Sequence, residues 1–527
     1  MGDMTIKLVM LFLFFAVMVG IGLYCRRHAS DVTGFVLGGR SVGPWLTAFA
    51  YGTSYFSAVV FVGYAGQFGW KYGIAATWAG IGNALLGSLL AWAVLGRRTR
   101  VMTQHLDSAT MPEFFGRRFN SRALKLTASV IIFIFLIPYT ASLYNGLSRL
   151  FAMAFDIDYA ICVIVMAVLT GVYVIAGGYM ATAINDFIQG IIMIVGIIAV
   201  IWAVLGSQGG FMGALEGLAR IQDDTVSTAP GVFASFFGPD PLGLLGVVLL
   251  TSLGTWGLPQ MVQKFYAIKS EKSINTGMVI STLFAAVVAG GCYFLGGFGR
   301  LYTGKVDVVA EGYDAIIPTM LSDLSSFLIA VVVILVLSAS MSTLSSLVLA
   351  SSSTLTLDFI KDNMIRDMDE KRQVRWIRGL VVVFIAISVV LAIIQYRSSV
   401  TFIAQLMGIS WGALAGAFLA PFLYGLYWKR TTKAACWVSF LFSTIVMLSN
   451  IFAGEYFPSL LRSPINAGAF CMLAGLVIVP LVSLITKAPA ADHVDQIFSC
   501  YERTITVTVK DSIGNPEKRP RASGKKK

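Results

Sequence analysis

The sequence is poor in charge. Only 13% of its 527 residues are Asp, Glu, Lys or Arg, about half the share usual in soluble domains, while 57% are hydrophobic. That balance excludes a water-soluble enzyme, a disordered chain and a coiled coil. Histidine is scarcer still. His28, His105 and His493 are the only three, and all lie outside the apolar runs, which excludes a histidine-ligated metal or haem at membrane depth. The six cysteines (Cys25, Cys162, Cys292, Cys436, Cys471, Cys500) are scattered, so neither a disulfide framework nor a zinc site follows from them. The net charge of +12 forms no patch, and nucleic acid is not an expected partner.

What is present is a succession of long apolar runs. A spanning helix needs about 20 mostly apolar residues, and thirteen candidate spans can be drawn: 6–25, 44–70, 73–96, 124–153, 157–178, 180–206, 240–265, 275–298, 326–357, 375–396, 398–428, 434–454 and 466–486. The first is not a cleaved signal, because Arg26 and Arg27 follow it and only Lys7 precedes it. Lysine and arginine concentrate in alternate loops: Arg26, Arg27 and Arg40; Arg97 to Lys125; Lys264, Lys269 and Lys272; Lys361 to Arg378; Lys429 to Lys433. The positive-inside rule then puts the N-terminus outside, and an odd number of spans puts the C-terminus in the cytoplasm. The acidic outside segments 207–239 and 299–325 either cap an external vestibule or are solvated loops. The tail 488–527 ends in a basic stretch, Lys518 to Lys527, expected to be disordered and to touch lipid. It is too short for a kinase or nucleotide-binding domain. The expectation is an all-α polytopic protein of the cell membrane, whose partners are the lipid bilayer and a small molecule, with a monomer as the default state.

Three kinds of feature break the apolar monotony. Of 27 acidic residues, only Asp186 falls clearly inside a span, near its cytoplasmic mouth; Asp358 lies at the far end of another. A carboxylate at bilayer depth costs about 2.5–3.5 kcal/mol on insertion scales and usually faces an interior site, although a shallow one is simply hydrated. The ninth run carries Ser338-Ala339-Ser340-Met341-Ser342-Thr343-Leu344-Ser345-Ser346. Ala339, Ser342, Thr343 and Ser346 share one helix face, with Ser345 beside them. Hydroxyl and carbonyl oxygens suit a hard cation such as sodium; small residues suit close helix packing equally well, and the pattern leaves both open. Finally, Gly52-Thr53-Ser54-Tyr55-Phe56-Ser57 and Gly254-Thr255-Trp256-Gly257-Leu258-Pro259 interrupt the second and seventh runs. Irregular backbone at this depth is tolerated where it lines a site or cavity. The two interruptions fall in the first helix of two five-helix halves, 44–206 and 240–428. Corresponding breaks of that kind point to a binding site between inverted repeats.

Phe35-Val36-Leu37-Gly38-Gly39-Arg40-Ser41, Gly177-Gly178-Tyr179 and Met341-Ser342-Thr343-Leu344-Ser345 together resemble the sodium:solute symporter family, which includes the sodium/proline, sodium/pantothenate, sialic acid and sugar symporters. The resemblance runs from about Leu8 to Leu484. It implies thirteen transmembrane helices: a leading helix (1–43 with its linker), two inverted five-helix repeats around a leucine-transporter-like core (44–206 and 240–428), separated by the external loop 207–239, and two trailing helices (429–487) before the tail. It implies no catalytic residue and no cofactor beyond Na+ as coupling ion. By position, the family's principal sodium site maps to carbonyls of Thr53, Phe56 and Ala339 and hydroxyls of Ser342 and Thr343. A second sodium site maps to Asp186, Ser342, Ser345 and Ser346. The substrate pocket implied beside the breaks draws on Tyr55, Ser57, Tyr139, Thr255 and Trp256, with Gln67, Trp70 and Gln405 further out. Proline symporters have an aspartate at the Tyr55 position, no arginine precedes Arg149 in the fourth span to act as a sialic-acid clamp, and Lys71-Tyr72-Gly73 looks like pantothenate symporters. The expected function is sodium-coupled import of a small organic solute such as proline, pantothenate or another carboxylate. Proton coupling, a passive channel or facilitator, and a non-transporting sensor or scaffold are the alternatives.

Overall fold

A computed structural model describes residues 3–28, 30–155, 157–365, 367–398 and 403–502. The side chain of Tyr55 and the basic stretch Lys518 to Lys527 lie outside what it describes. The long elements are all helical: α1 (Asp3–Tyr24), α2 (Pro44–Tyr55), α3 (Val59–His105), α4 (Arg122–Phe155), α5 (Tyr159–Ser207), α6 (Pro241–Gly257), α7 (Pro259–Ala267), α8 (Lys272–Gly296), α9 (Ser326–Asn363), α10 (Glu370–Ser398), α11 (Ile403–Tyr427), α12 (Lys433–Ala453) and α13 (Pro464–Ile485). Ten helices among the described residues are long and apolar enough to cross a membrane, or eleven when α6 and α7, bent by 46° at Leu258, count as one span. The chain is a multi-pass membrane protein.

Two of those ten are far longer than a bilayer requires. α3 has 47 residues and α5 has 49, about 70 Å each at 1.5 Å per residue, against a hydrocarbon core of about 30 Å. Each contains a glycine that leaves helical geometry: Gly73 (φ 63°, ψ −143°) and Gly178 (φ 55°, ψ −149°). The boundary expected between 157–178 and 180–206 falls at this kink, where Gly178 separates two helical stretches of α5.

The serine-rich α9 lies at the centre, packed on α5, α4, α10 and α2, with every residue from Leu335 to Thr354 buried. Side chains this small let neighbouring backbones approach closely. Around it, the two broken helices are tied together at one end. Val42, before α2, pairs in parallel with Ile268, after α7: Val42 N donates to Ala267 O (3.3 Å), and Lys269 N donates to Val42 O (2.9 Å). Arg40 adds a bond from Nη1 to Tyr266 O at 3.2 Å. Gly38, Gly39 and Arg40 all take positive φ (59°, 66°, 53°), which glycine adopts without penalty. The Gly-Gly-Arg motif is thus the turn that carries the chain into this tie.

Gly178 combines a left-handed backbone with a crowded face, because a Cβ there would stand 2.8 Å from Phe35 O. Gly178→Ala is expected to lower the thermal stability of the purified protein, by about 1–2 kcal/mol for the backbone alone and more for the clash. Gly20→Ala, with nothing within 4 Å of its Cβ position, is the control that leaves the melting temperature in place.

Candidate functional site

The helix that begins at Pro44 stops at Tyr55. Phe56 is extended (φ −88°, ψ 118°), and Ser57 caps the resumed helix by accepting from Val59 N at 3.2 Å. The break removes the amide that the Thr53 carbonyl would meet in a continuous helix. That carbonyl instead faces α9. Ser342 Oγ lies 3.0 Å from both Thr53 O and Ala339 O. Thr343 Oγ1 lies 3.1 Å from Thr53 O, 3.3 Å from Phe56 O and 3.1 Å from Ala339 O. Five oxygens thus converge: the Ala339 carbonyl, which also meets its own helical amide, the Thr53 and Phe56 carbonyls at the break, and two hydroxyls. Oxygens at about 2.3–2.6 Å from a hard cation such as calcium sit at comparable mutual separations. The five residues that carry the principal-site expectation are therefore brought together.

Beside the cage lies a buried ion pair. Asp186 on α5 is 0% exposed and Lys264 on α7 is 2% exposed, with Lys264 Nζ 3.8 Å from Asp186 Oδ2. Lys264 Nζ also donates to Ser346 Oγ at 3.0 Å and stands 5.1 Å from the centre of the Tyr179 ring. Ser346 Oγ in turn pairs with Ser54 Oγ at 3.0 Å, one residue beyond Thr53. Ser345 Oγ donates to its own helix, to Ser342 O at 2.9 Å. Of the two readings left open for Asp186 the interior one holds, and the loop reading of Lys264 needs correction. Asp186 is not hydrated at a cytoplasmic mouth but fully enclosed, and Lys264 is not a loop residue but the cation that faces it. The pointer was present: Lys264 falls just inside the expected span 240–265. Breaking such a pair by removing one partner costs about 3–5 kcal/mol. Asp358 is buried too, accepting from Thr110 Oγ1 at 2.6 Å with Lys125 Nζ at 3.3 Å.

The substrate candidates separate into groups. Ser57 and Tyr139 are fully buried. The Tyr139 hydroxyl lies beside Ser57 and the Trp411 indole, and the two rings meet edge to face with centroids 5.9 Å apart. Trp411 occupies the space that a side chain at Gly254 would need, since a Cβ there would stand 2.4 Å from the indole. One aromatic therefore joins both helix breaks. Tyr64 and Tyr293 are buried near Tyr139 in the same interior. These three residues were missed, although Tyr64 lies two turns beyond Ser57 on its face. Thr255 and Trp256 spend their polar atoms on α3: Thr255 Oγ1 donates to Gly87 O and Trp256 Nε1 to Leu86 O, both at 2.9 Å. Gln67 is buried, its Oε1 without a hydrogen bond among the described residues. Gln405 is half-buried. Trp70 stands apart. It lines a cavity of about 810 Å³ with Lys71, Asp223, Asp240, Arg300 and Tyr313, to which the segments 207–239 and 299–325 both contribute.

The family model described as "Sodium:solute symporter family" matches residues 35–454. Sodium/proline symporters of Staphylococcus aureus strains JH9 and COL are each 28% identical over 498 residues, covering 92% of this chain and 93% of theirs. Among solved structures, a Na+-coupled sialic acid symporter in a substrate-bound outward-open state aligns with a TM-score of 0.71 at 16% identity, covering 92% of this chain and 98% of that one. That likeness shows a shared fold.

At the cavity, Asp223 accepts from Thr225 Oγ1 at 2.6 Å and from Arg300 Nη1 at 2.8 Å. These bonds hold its carboxyl below the ordinary carboxylate range, Thr225 contributing most. A depressed carboxyl stabilises the fold above its unfolded pKa and loses that contribution as pH falls through the folded value. Amide-exchange protection in 221–227, taken relative to the intrinsic rate at each pH, is therefore expected to stay constant from neutral pH to about pH 5 and to fall only below about pH 4. Asp223→Asn is expected to show the faster exchange at neutral pH.

Proposed function

As the chain belongs to the sodium:solute symporter family, a family of transporters and not of enzymes, we propose that it imports a small organic solute across the cell membrane by coupling its entry to sodium. The solute class is a small carboxylate-bearing compound of the proline or pantothenate kind. Sodium binds the carbonyls of Thr53, Phe56 and Ala339 and the hydroxyls of Ser342 and Thr343. Asp186, Ser342, Ser345 and Ser346 form a second cation position on the adjoining face of α9. The solute binds beside the two breaks, against Tyr55, Ser57, Tyr139, Thr255, Trp256 and Gln67, with Trp70 and Gln405 nearer the entrance.

What supports the ion site is the convergence of three carbonyls, two of them at the break in α2, and two hydroxyls in a buried interior. A monovalent cation can be held by all five oxygens at once, because each carbonyl and hydroxyl oxygen has lone pairs to offer. Because two of the carbonyls come from the broken α2 and the remaining ligands from α9, an ion there holds those helices in one relative position. Solute contacts on the same break then favour the same conformation, so ion and solute share a coupling free energy.

Thirteen spans follow if α3 and α5 each contribute two crossings around Gly73 and Gly178. The inverted repeats 44–206 and 240–428, an external N-terminus and a cytoplasmic C-terminus complete the reading. The broken α2 and the α6–α7 pair are then equivalent helices of opposite orientation.

Proteoliposomes offered labelled proline, pantothenate, monocarboxylates and sugars, with and without an inward sodium gradient, test this directly. Accumulation of one compound only with sodium is expected. Equal uptake in its absence would favour a proton-coupled or passive transporter. Ser342→Ala or Thr343→Ala is expected to raise the sodium concentration for half-maximal uptake about tenfold or more, equivalent to about 1.4 kcal/mol. An unchanged sodium dependence in folded variants would remove the assignment of the cage.

A further inference from the structure

We propose that Lys264 is a tethered cation that takes the place of a second sodium, so that this protein binds one sodium ion and supplies the other positive charge itself. The inference rests on the sodium reading of the cage and adds to it the identity of the second occupant.

The carboxylate and hydroxyl that the second cation position would use are already in contact with Lys264. Its ammonium donates to Ser346 Oγ at 3.0 Å and lies 3.8 Å from Asp186 Oδ2, with the Tyr179 ring face 5.1 Å away. The side chains of Lys264 and Asp186 are 3% and 0% exposed, so water does little to screen either charge. Neither carboxylate oxygen of Asp186 has a hydrogen bond among the described residues. Its charge is therefore offset by Lys264 alone and not by a set of donors.

Charge arithmetic decides between the occupants. An ammonium and a sodium ion are both monovalent cations that oxygen ligands satisfy. One buried carboxylate balances one of them. A sodium ion entering against Asp186 and Ser346 would meet the ammonium at contact distance, with no second carboxylate paired to Lys264 among the described residues, in a low-dielectric interior where like charges repel most strongly. Local backbone chemistry supports the placement. Lys264 sits on α7, the short helix that follows the break at Leu258, and α7 is fixed to its surroundings by Gln263 Nε2 donating to Val36 O at 3.0 Å and by the Val42–Ile268 pairing. The ammonium is thus delivered to its position by a fixed element, not by a mobile surface side chain.

The arrangement also connects the tethered charge to the cage. Ser346 Oγ contacts both Lys264 Nζ and Ser54 Oγ. Ser54 follows Thr53, whose carbonyl is a cage oxygen, and Ser346 lies one turn from Ser342. Lys264 therefore joins α7, α9 and the broken end of α2, as a second ion would, but is present in every cycle and need not be drawn from solution.

Equilibrium binding of radiolabelled sodium to the purified full-length chain, with no solute added, tests the proposal. Wild type is expected to bind close to one ion per chain without cooperativity. Lys264→Met is expected to bind two, because Asp186 and Ser346 are released. Lys264→Met combined with Asp186→Asn is expected to return to one, because the anion that holds the second ion is gone; Lys264→Gln, expected to bind two, replaces Lys264→Met if that variant does not fold. Two ions bound by wild type, or one ion bound by a folded Lys264→Met protein, would overturn the proposal and leave the sodium reading intact. No saturable sodium binding by any of the three would overturn the sodium reading and the proposal with it.

Discussion

Three main-chain carbonyls and two hydroxyls meet at 3.0–3.3 Å, and much of the architecture serves that meeting. α2 must stop at Tyr55 for the Thr53 and Phe56 carbonyls to turn outward. α9 must present two adjacent hydroxyls without bulk, which explains a central helix in which Ser, Thr and Ala replace the leucines of an ordinary span. A polar cluster of this kind would be costly without a partner for every oxygen. An ion-binding role explains why the chain retains it where apolar packing would serve stability alone.

The elements that hold the cage converge from distant parts of the chain. Phe35 abuts Gly178, and Gly38 abuts Tyr179; Tyr179 faces Lys264, which reaches Ser346 on the cage helix. The three short motifs that carry the family resemblance are thus parts of one contiguous region around α7 and the lower end of α2. Tight turns at Gly38, Gly39 and Gly178 let backbones approach where a Cβ would not fit. The ion pair between Asp186 and Lys264 then fills the interior that those turns enclose. Rocking of one helix group against another must carry this region as a unit or separate it at the cage.

Much of this was legible in the sequence, for local reasons. The multi-pass helical fold follows from run length and charge scarcity. The α2 and α6–α7 breaks follow from glycine and proline at their own positions, and the hydroxyl face of α9 from spacing along one helix. What was not legible depends on partners remote in the chain. Lys264 reads as one more basic loop residue until Asp186 is seen opposite it. Trp411 carries no signal of its own, because its position is set by the missing side chain at Gly254. Tyr64 and Tyr293 are indistinguishable from core aromatics until the fold brings them near Tyr139.

The central claim is that sodium binds where α2 is broken against α9. The most direct measurement is the melting temperature of the purified protein as sodium replaces potassium at constant ionic strength, for wild type and for Thr343→Ala. An ion that binds only the folded state stabilises by about 2.7 kcal/mol at a hundred times its dissociation constant. The account predicts a rise in Tm with sodium for wild type and a flat response for Thr343→Ala over the same range. The same rise in both proteins, or none in wild type, would contradict it.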